Sequence, residues 1–208
     1  MKISFIGDSI RLQYTPVVRE MLGENYEFFE PKENCRFAKY TLRGVFDWEN
    51  NMQNSRIVHW NNGLWDVCNL FGDGLFSTEE EYVNNMLRIA HILKSRYETV
   101  IFATTTPVSP LNKYNRNEDI RRYNDIIVPL LSKNGIVIND LYSVIAADMD
   151  KYVSDDLIHL SEDGIRVVAE KVAKVIEEEA SKLAPIEASS EKAIDGEALG
   201  APVTYNGK

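Results

Sequence analysis

The chain has 208 residues, of which 44% are hydrophobic and 26% are charged, and this composition is that of an ordinary globular protein. Its 23 Lys and Arg residues and 32 Asp and Glu residues give a formal net charge of −9. Because so acidic a chain, with no concentrated run of basic residues, repels phosphate groups, we expect neither nucleic acid nor a membrane surface as a partner.

The chain also lacks the features of an exported or membrane-anchored protein. The N-terminal apolar stretch, residues 3–6, is interrupted by Ser4 and is too short for the core of a signal peptide. No apolar run approaches the roughly 18 residues that span a bilayer. The two cysteines, Cys35 and Cys68, form no Cys-x-x-Cys motif and are expected to be free thiols. We therefore expect a cytoplasmic protein.

Short apolar runs alternate along the chain with longer helical patterns. Five runs rich in β-branched and aromatic residues predict strands at 3–6, 26–29, 57–60, 99–104 and 136–138. Apolar residues at helical spacing predict helices at about 12–22, 40–52, 77–97, 119–131, 141–147 and 161–180. Strands separated by helices are expected to form a parallel sheet covered on both faces, so the fold class is an α/β three-layer sandwich with five parallel strands.

The regular patterns end before the chain does. From residue 184 to residue 208 the sequence turns to Ala, Ser, Glu, Gly and Pro without periodicity. Such a composition predicts an irregular C-terminal tail. The remaining residues, 1–183, are expected to form one domain.

Five polar loops follow the predicted strands. The carboxyl ends of parallel strands lie at one edge of a sheet, where ligands bind, so these loops are expected to converge. They contain residues 7–10, 34–36, 61–66, 104–107 and 155–159.

Ser9 stands in the first of these loops, between the first strand and the first helix. A hydroxyl there lies at the positive end of the helix dipole, near backbone N–H groups that can receive an oxyanion. Gly7 would permit the tight turn that presents it. The same position suits an ordinary capping serine, so Ser9 alone does not separate a nucleophile from a structural residue.

A serine nucleophile needs a base, most often a histidine, and the chain has three. His59 lies within a predicted strand and is interpreted as a packed or edge residue, and His91 lies on the polar face of a helix and is interpreted as solvated. His159 precedes the last helix, and Asp156 lies three residues earlier, where a single turn can bring its carboxylate to the imidazole. His159 and Asp156 are therefore the candidate base and orienting acid.

Two motifs together resemble the GDSL or SGNH hydrolase superfamily over about residues 1–183. They are Gly-Asp-Ser-Ile at 7–10 and Asp-Leu-Ile-His at 156–159. The resemblance implies a flavodoxin-like α/β/α fold and an esterase with a serine nucleophile. It assigns Ser9 as nucleophile, His159 as general base and Asp156 as the residue that orients the base.

The third-strand loop departs from the family's pattern. Members carry an asparagine within Gly-x-Asn-Asp as an oxyanion donor, whereas this chain reads Asn-Asn-Gly-Leu-Trp-Asp at 61–66 and has Trp65 in the asparagine slot. An Asn-x-Gly-x-Trp arrangement resembles carbohydrate-modifying esterases and acyltransferases. In that arrangement Asn61 is the expected donor, and Asn62 is the alternative.

The second-strand loop departs as well, because the glycine that normally supplies a backbone donor is missing. Gly44 falls inside the following helix and is interpreted as a packing residue. A backbone N–H needs no particular side chain, so Cys35 or Arg36 is expected to supply that donor. The Ser9 N–H would complete the oxyanion hole.

The resemblance thus implies an enzyme that removes a short acyl group, such as acetyl, from a small or carbohydrate-like alcohol. Its partner is a small-molecule ester. No glycine-rich phosphate loop and no His-x-x-x-His motif occur, so we expect no cofactor and no metal. Two alternatives stay open, namely transfer of the acyl group to another hydroxyl by the same residues, and a non-catalytic ligand-binding module of the same fold.

Overall fold

The computed structural model describes residues 1–184 and is organised around a parallel sheet. Its strands are β1 (Lys2–Ile6), β2 (Glu27–Phe29), β3 (Ser55–Trp60), β4 (Thr99–Ala103) and β5 (Val137–Asn139). They lie in the order β2-β1-β3-β4-β5, and every neighbouring pair is parallel. The prediction of five parallel strands is confirmed.

Helices connect the strands and follow the last one. They are α1 (Ser9–Leu22), α2 (Ala38–Asp47), α3 (Glu49–Met52), α4 (Glu79–Arg96), α5 (Asn117–Lys133), α6 (Leu141–Ala146), α7 (Met149–Tyr152) and α8 (Glu162–Ala180). The single turn of α7 was not predicted, because four residues are too few to show a helical period.

The two halves of the sheet are wound in opposite directions. From β1 the chain passes through α1 to β2 on one side, and from β3 it passes through α4 and α5 to the strands on the other side. Because crossovers between parallel strands are right-handed, this reversal puts α1 on one face and α4 and α5 on the opposite face. Helix α8 packs against α1, and α2 packs against α4. The expected three-layer α/β/α sandwich is therefore confirmed.

The helix predicted over residues 40–52 is two helices, which corrects that expectation. The break lies at Trp48, whose φ of −94° and ψ of 1° leave the helical range. The Trp48 indole folds back over Gly44, where an added Cβ would lie 2.2 Å from the ring. The indole Nε1 also donates a hydrogen bond to Glu33 Oε1 at 3.3 Å. The interpretation of Gly44 as a packing residue is confirmed.

The structure also separates the three histidines. His59 is buried in β3, with Nδ1 3.3 Å from the Tyr14 hydroxyl and Nε2 3.2 Å from Asn139 Nδ2. Burial lowers the pKa of His59 to about 3, so it is a neutral core residue, as interpreted from the sequence. His91 is exposed on α4, also as interpreted. Only His159 lies at the carboxyl edge of the sheet.

Two further expectations concern membrane-spanning segments and the C-terminal tail. Within residues 1–184, no helix is long and apolar enough to cross a membrane. The predicted tail, 184–208, lies outside the described residues except for its first residue. The boundary between domain and tail stays a prediction.

Candidate active site

The candidate site lies where the winding of the sheet reverses, between the carboxyl ends of β1 and β3. Gly7 and Asp8 lead from β1 directly into α1, whose first residue is Ser9. Asp8 is the N-cap of this helix, because its Oδ1 accepts a hydrogen bond from the Ile10 N–H at 3.0 Å. Ser9 is therefore not the capping serine that the sequence left possible, and its hydroxyl is free to bond elsewhere.

That hydroxyl begins a chain of hydrogen bonds. Ser9 Oγ lies 2.8 Å from His159 Nε2, and His159 Nδ1 lies 2.7 Å from Asp156 Oδ2. A carboxylate at Nδ1 favours the tautomer with its proton on that nitrogen, which leaves Nε2 to accept the Ser9 O–H. The structure thus brings together the three side chains that the sequence singled out as nucleophile, base and orienting acid.

Asp156 is held by several donors besides the imidazole. Its Oδ1 accepts hydrogen bonds from the Ile158 N–H at 3.0 Å, the His159 N–H at 2.8 Å and the Ser154 hydroxyl at 2.8 Å. Burial works against ionisation, but these bonds outweigh it and hold the pKa of Asp156 well below its ordinary value. The carboxylate is therefore ionised at neutral pH and can accept the hydrogen of His159 Nδ1.

A second contact joins the segment that carries Ser9 to the segment that carries His159, and the sequence does not predict it. Gln13, one turn beyond Ser9 in α1, donates from Nε2 to the Leu160 carbonyl at 3.1 Å and accepts the Leu160 N–H on Oε1 at 3.0 Å. Leu160 directly follows His159. A glutamine in a helix carries no signal of such a partner 147 residues away, so the sequence could not have indicated it.

Asn61 follows β3 and packs against the serine turn, residues 7–9, which leads from β1 into α1. Its Nδ2 donates to Asp8 Oδ1 at 2.7 Å, and its Oδ1 lies where a Cβ on residue 7 would be only 1.8 Å away, so Gly7 is needed for this approach. Burial raises the pKa of Asp8 in spite of this bond and the one from Ile10. Asn61 Nδ2 has a second hydrogen that it can donate to an oxyanion. The role of Asn61 as an oxyanion donor stays a prediction.

The expected backbone donors differ in whether their N–H groups already have a hydrogen-bond partner. As the first residue of α1, Ser9 has an N–H with no partner inside the helix. The Cys35 N–H, by contrast, donates to the Gly7 carbonyl at 3.0 Å, so the expectation that Cys35 supplies a free donor is corrected. The Arg36 N–H donates to Asn34 Oδ1 at 2.7 Å and would have to leave that partner to bind an oxyanion.

Asn62, the alternative to Asn61, is occupied by bonds that hold loops together. Its Nδ2 donates to the Arg36 carbonyl at 2.8 Å, and its Oδ1 accepts a hydrogen bond from Trp60 Nε1 at 2.6 Å. It is fully buried. Asn62 therefore joins the loop after β3 to the loop after β2, and Asn61 remains the candidate donor.

Asp66, in the loop after β3, connects the start of α2 with the end of its own loop. Its fully buried carboxylate accepts hydrogen bonds from the Ala38 N–H at 3.0 Å and from the Ser77 hydroxyl at 2.7 Å. Burial raises the pKa of Asp66 to about 7, although both bonds act in the opposite direction. The start of α2 and the end of the loop that precedes α4 therefore depend on one titratable group.

The described residues contain no group of three or more His, Cys, Asp or Glu side chains placed to hold a metal ion. The expected absence of a metal and of a cofactor stays a prediction. The chemistry that the site's own side chains offer is that of a hydroxyl, an imidazole and a carboxylate.

No family model matches the sequence, and no curated protein matches it. Solved structures do match: an acetyl xylan esterase superposes with a TM-score of 0.73 and 21% identity over 85% of this chain and 100% of that one. A member of the lipolytic G-D-S-L family from Veillonella parvula gives 0.67 and 18%, over 85% and 98% of the two chains. A carbohydrate esterase family 3 protein from Talaromyces cellulolyticus gives 0.65 and 16%, over 88% and 100%. The chain has the SGNH hydrolase fold.

The SGNH hydrolase fold is the fold that the resemblance drawn from the motifs at 7–10 and 156–159 implied. Each motif stands at the carboxyl edge of the sheet, one beside the first strand and one before the last helix. At these identities the shared property is the fold, and the site rests on the geometry of this chain's own residues.

The raised pKa of Asp66 predicts a pH-dependent stability that Asp66→Asn removes. A buried carboxyl that ionises less readily in the folded state stabilises the fold below its unfolded pKa, and this contribution is lost as pH rises through about 7. Between pH 5 and pH 8 the wild type should therefore lose about 2 kcal/mol more of its free energy of unfolding than the variant, in urea titrations at both pH values.

The exposed Asp73, in the same loop, offers the matched control Asp73→Asn, which should keep the wild-type pH dependence. An Asp66→Asn variant whose stability changes with pH as steeply as that of the wild type would show that Asp66 does not titrate in this range.

Proposed function

We propose that the protein is a serine esterase that hydrolyses an ester of a short acyl group, such as acetyl, and a small or carbohydrate-like alcohol. The hydrogen-bonded chain from Ser9 through His159 to Asp156 carries this proposal. Two of the similar structures, an acetyl xylan esterase and a family 3 carbohydrate esterase, support an acetylated carbohydrate as substrate.

Acylation begins at the Ser9 hydroxyl. Ser9 Oγ attacks the ester carbonyl carbon while its proton passes to His159 Nε2, which is 2.8 Å away. The ionised Asp156 stabilises the imidazolium that forms. The carbonyl oxygen becomes the oxyanion of a tetrahedral intermediate.

The oxyanion lies at the positive end of the α1 dipole. The Ser9 N–H and the second hydrogen of Asn61 Nδ2 are the donors that we assign to it, since the Cys35 N–H is bonded to Gly7. Asp8 keeps the Asn61 amide in place through the 2.7 Å bond to its Nδ2. A site with fixed donors stabilises the charge without reorganising during the reaction.

The intermediate then collapses and the acyl group is removed. The bond to the alcohol oxygen breaks, and His159 returns its proton to that oxygen, so the alcohol leaves and the acyl group stays on Ser9. His159 next takes a proton from water, whose oxygen attacks the acyl carbonyl. Collapse of the second intermediate returns the proton to Ser9 and releases the acid.

The two cysteines take no part in this chemistry. Cys35 is buried beside the serine turn, where its Sγ accepts a hydrogen bond from the Gly7 N–H at 3.2 Å. Burial raises the pKa of the Cys35 thiol to about 11, so it is no competing nucleophile at neutral pH. Cys68 is also a free thiol, and two free thiols favour a reducing compartment, so we propose a cytoplasmic location.

Removing Ser9 or His159 is expected to abolish most of the esterase activity. Ser9→Ala lacks the nucleophile and His159→Ala lacks the base, so each should lower kcat for an activated acetate ester by a factor on the order of 10³ to 10⁶. Steady-state kinetics of the purified variants measures this. The exposed His91 supplies the control His91→Ala, which should retain wild-type kcat. Equal rates for wild type, Ser9→Ala and His159→Ala would disprove the proposal.

Gln13→Met tests whether the contact with Leu160 sets the distance from Ser9 to His159. Methionine has a similar length but cannot make either hydrogen bond, so kcat should fall about tenfold or more while KM changes little, because misplacing a base affects the chemical step. Gln53→Met is the matched control at an exposed glutamine and should leave both constants unchanged. Unchanged kcat in Gln13→Met would mean that the packing of the helices alone sets the distance.

A further inference from the structure

Arg36 is an exposed arginine at the edge of the candidate site. It lies between β2 and α2, next to Cys35, whose N–H is bonded to the Gly7 carbonyl. The Arg36 carbonyl accepts a hydrogen bond from Asn62 Nδ2 at 2.8 Å. The backbone that carries the guanidinium is thus tied to the serine turn on one side and to the loop after β3 on the other.

The backbone of Arg36 is strained. Its φ of 50° lies in the left-handed region, which favours glycine over a residue with a side chain. Within residues 1–184 only two other non-glycine residues have a positive φ, Asn54 and Leu157, and Leu157 lies between Asp156 and His159. Strain of this kind concentrates at functional sites, where the surrounding bonds maintain it.

The Arg36 guanidinium has no carboxylate partner among the described residues. Its Cζ lies 5.1 Å from the centre of the Tyr40 ring, which steadies the side chain without neutralising it. The Tyr40 hydroxyl donates instead to Glu33. The arginines that make no ion pair within residues 1–184 are Arg36, Arg88, Arg121 and Arg166.

Position separates Arg36 from the other three. Arg88, Arg121 and Arg166 lie on α4, α5 and α8, whereas Arg36 lies in a loop at the carboxyl edge of the sheet. In a chain with a net charge of −9, an arginine in such a loop without a carboxylate partner among the described residues is available to an anion from outside.

Tyr40, the ring beside the guanidinium, belongs to a cluster of three aromatic side chains. Phe37 contacts Tyr40 edge-on, with ring centres 6.2 Å apart, and packs on Phe76 at 4.9 Å. Phe76 comes from the loop after β3 and is half exposed. Apolar walls reduce the water around an ion pair and so strengthen it relative to one in open solvent.

We propose that Arg36 binds a carboxylate on the alcohol portion of the ester substrate. The proposal rests on the esterase function above, in which the acyl group is too short to carry a second functional group. The planar fork of a guanidinium matches a carboxylate through two parallel hydrogen bonds. The substrate class is therefore an acylated hydroxy acid or acidic sugar. Since the contact forms in the ground state and persists in the transition state, it lowers KM more than it raises kcat.

The test compares two acetate esters that differ only in this charge, 4-acetoxybenzoate and 4-acetoxybenzamide. Each kcat/KM is divided by the ester's rate of alkaline hydrolysis, so that intrinsic reactivity cancels. Wild type should prefer the carboxylate about tenfold or more, mainly through KM, and the preference should shrink at high salt. In Arg36→Gly, which suits the φ of 50°, the ratio of the two normalised constants should fall to about one.

Arg43→Gly is the matched control, because it removes one exposed positive charge from α2 and should keep the wild-type ratio. A ratio equally high in Arg36→Gly, or a ratio of one in wild type that hydrolyses the neutral ester, would overturn the proposal and leave the esterase function standing. A stronger preference for 4-acetoxyphenyl phosphate would overturn the assignment to a carboxylate. Failure of wild type to hydrolyse either ester would overturn both proposals together.

Discussion

The hydrogen bond between Ser9 Oγ and His159 Nε2 joins residues 150 positions apart, and the site depends on it. Ser9 is the first residue of α1 and His159 stands shortly before α8, so the packing of α1 against α8 brings the two side chains together. Gln13 fixes the same two segments by hydrogen bonds with Leu160. The packing of α1 against α8 therefore both stabilises the fold and sets the geometry of the proposed reaction.

A buried arginine holds the other side of the serine turn. Arg11, in the first turn of α1, is fully buried and donates to the carbonyls of Gly7 at 3.4 Å and Glu33 at 2.8 Å. It also forms an ion pair with the Glu30 carboxylate at 3.2 Å. A buried guanidinium requires such partners, because an unpaired charge in the interior is costly. These bonds position the loop after β2 next to the serine turn and so fix the position of the Arg36 backbone.

The parts of the site that were predictable from the sequence are local in the chain. A strand followed by Gly-Asp-Ser, and Asp-x-x-His before a helix, each occupy a few residues, and the alternation of strands and helices decides which edge of the sheet they share. His59 and His91 are also excluded as the general base by position alone, because one lies in a strand and the other on a polar helix face. These predictions agree with the structure because local pattern and topology both act there.

The remaining features arise from contacts that no local pattern records. The Cys35 N–H was expected to be free, but β2 lies beside β1, so this N–H reaches the Gly7 carbonyl. Asp8, rather than Ser9, caps α1, a choice between two adjacent capping residues that propensity does not decide. The break at Trp48 likewise depends on where its indole packs. Distant pairings of this kind require coordinates.

The central claim is that His159 and Asp156 activate the Ser9 hydroxyl. Treatment of the folded protein with a fluorophosphonate, followed by peptide mass spectrometry, tests it without knowledge of the substrate, because only an activated serine reacts quickly. We expect a single adduct on Ser9 in the wild type and none in His159→Ala. No adduct on the folded wild type, or an adduct on another serine, would contradict the claim.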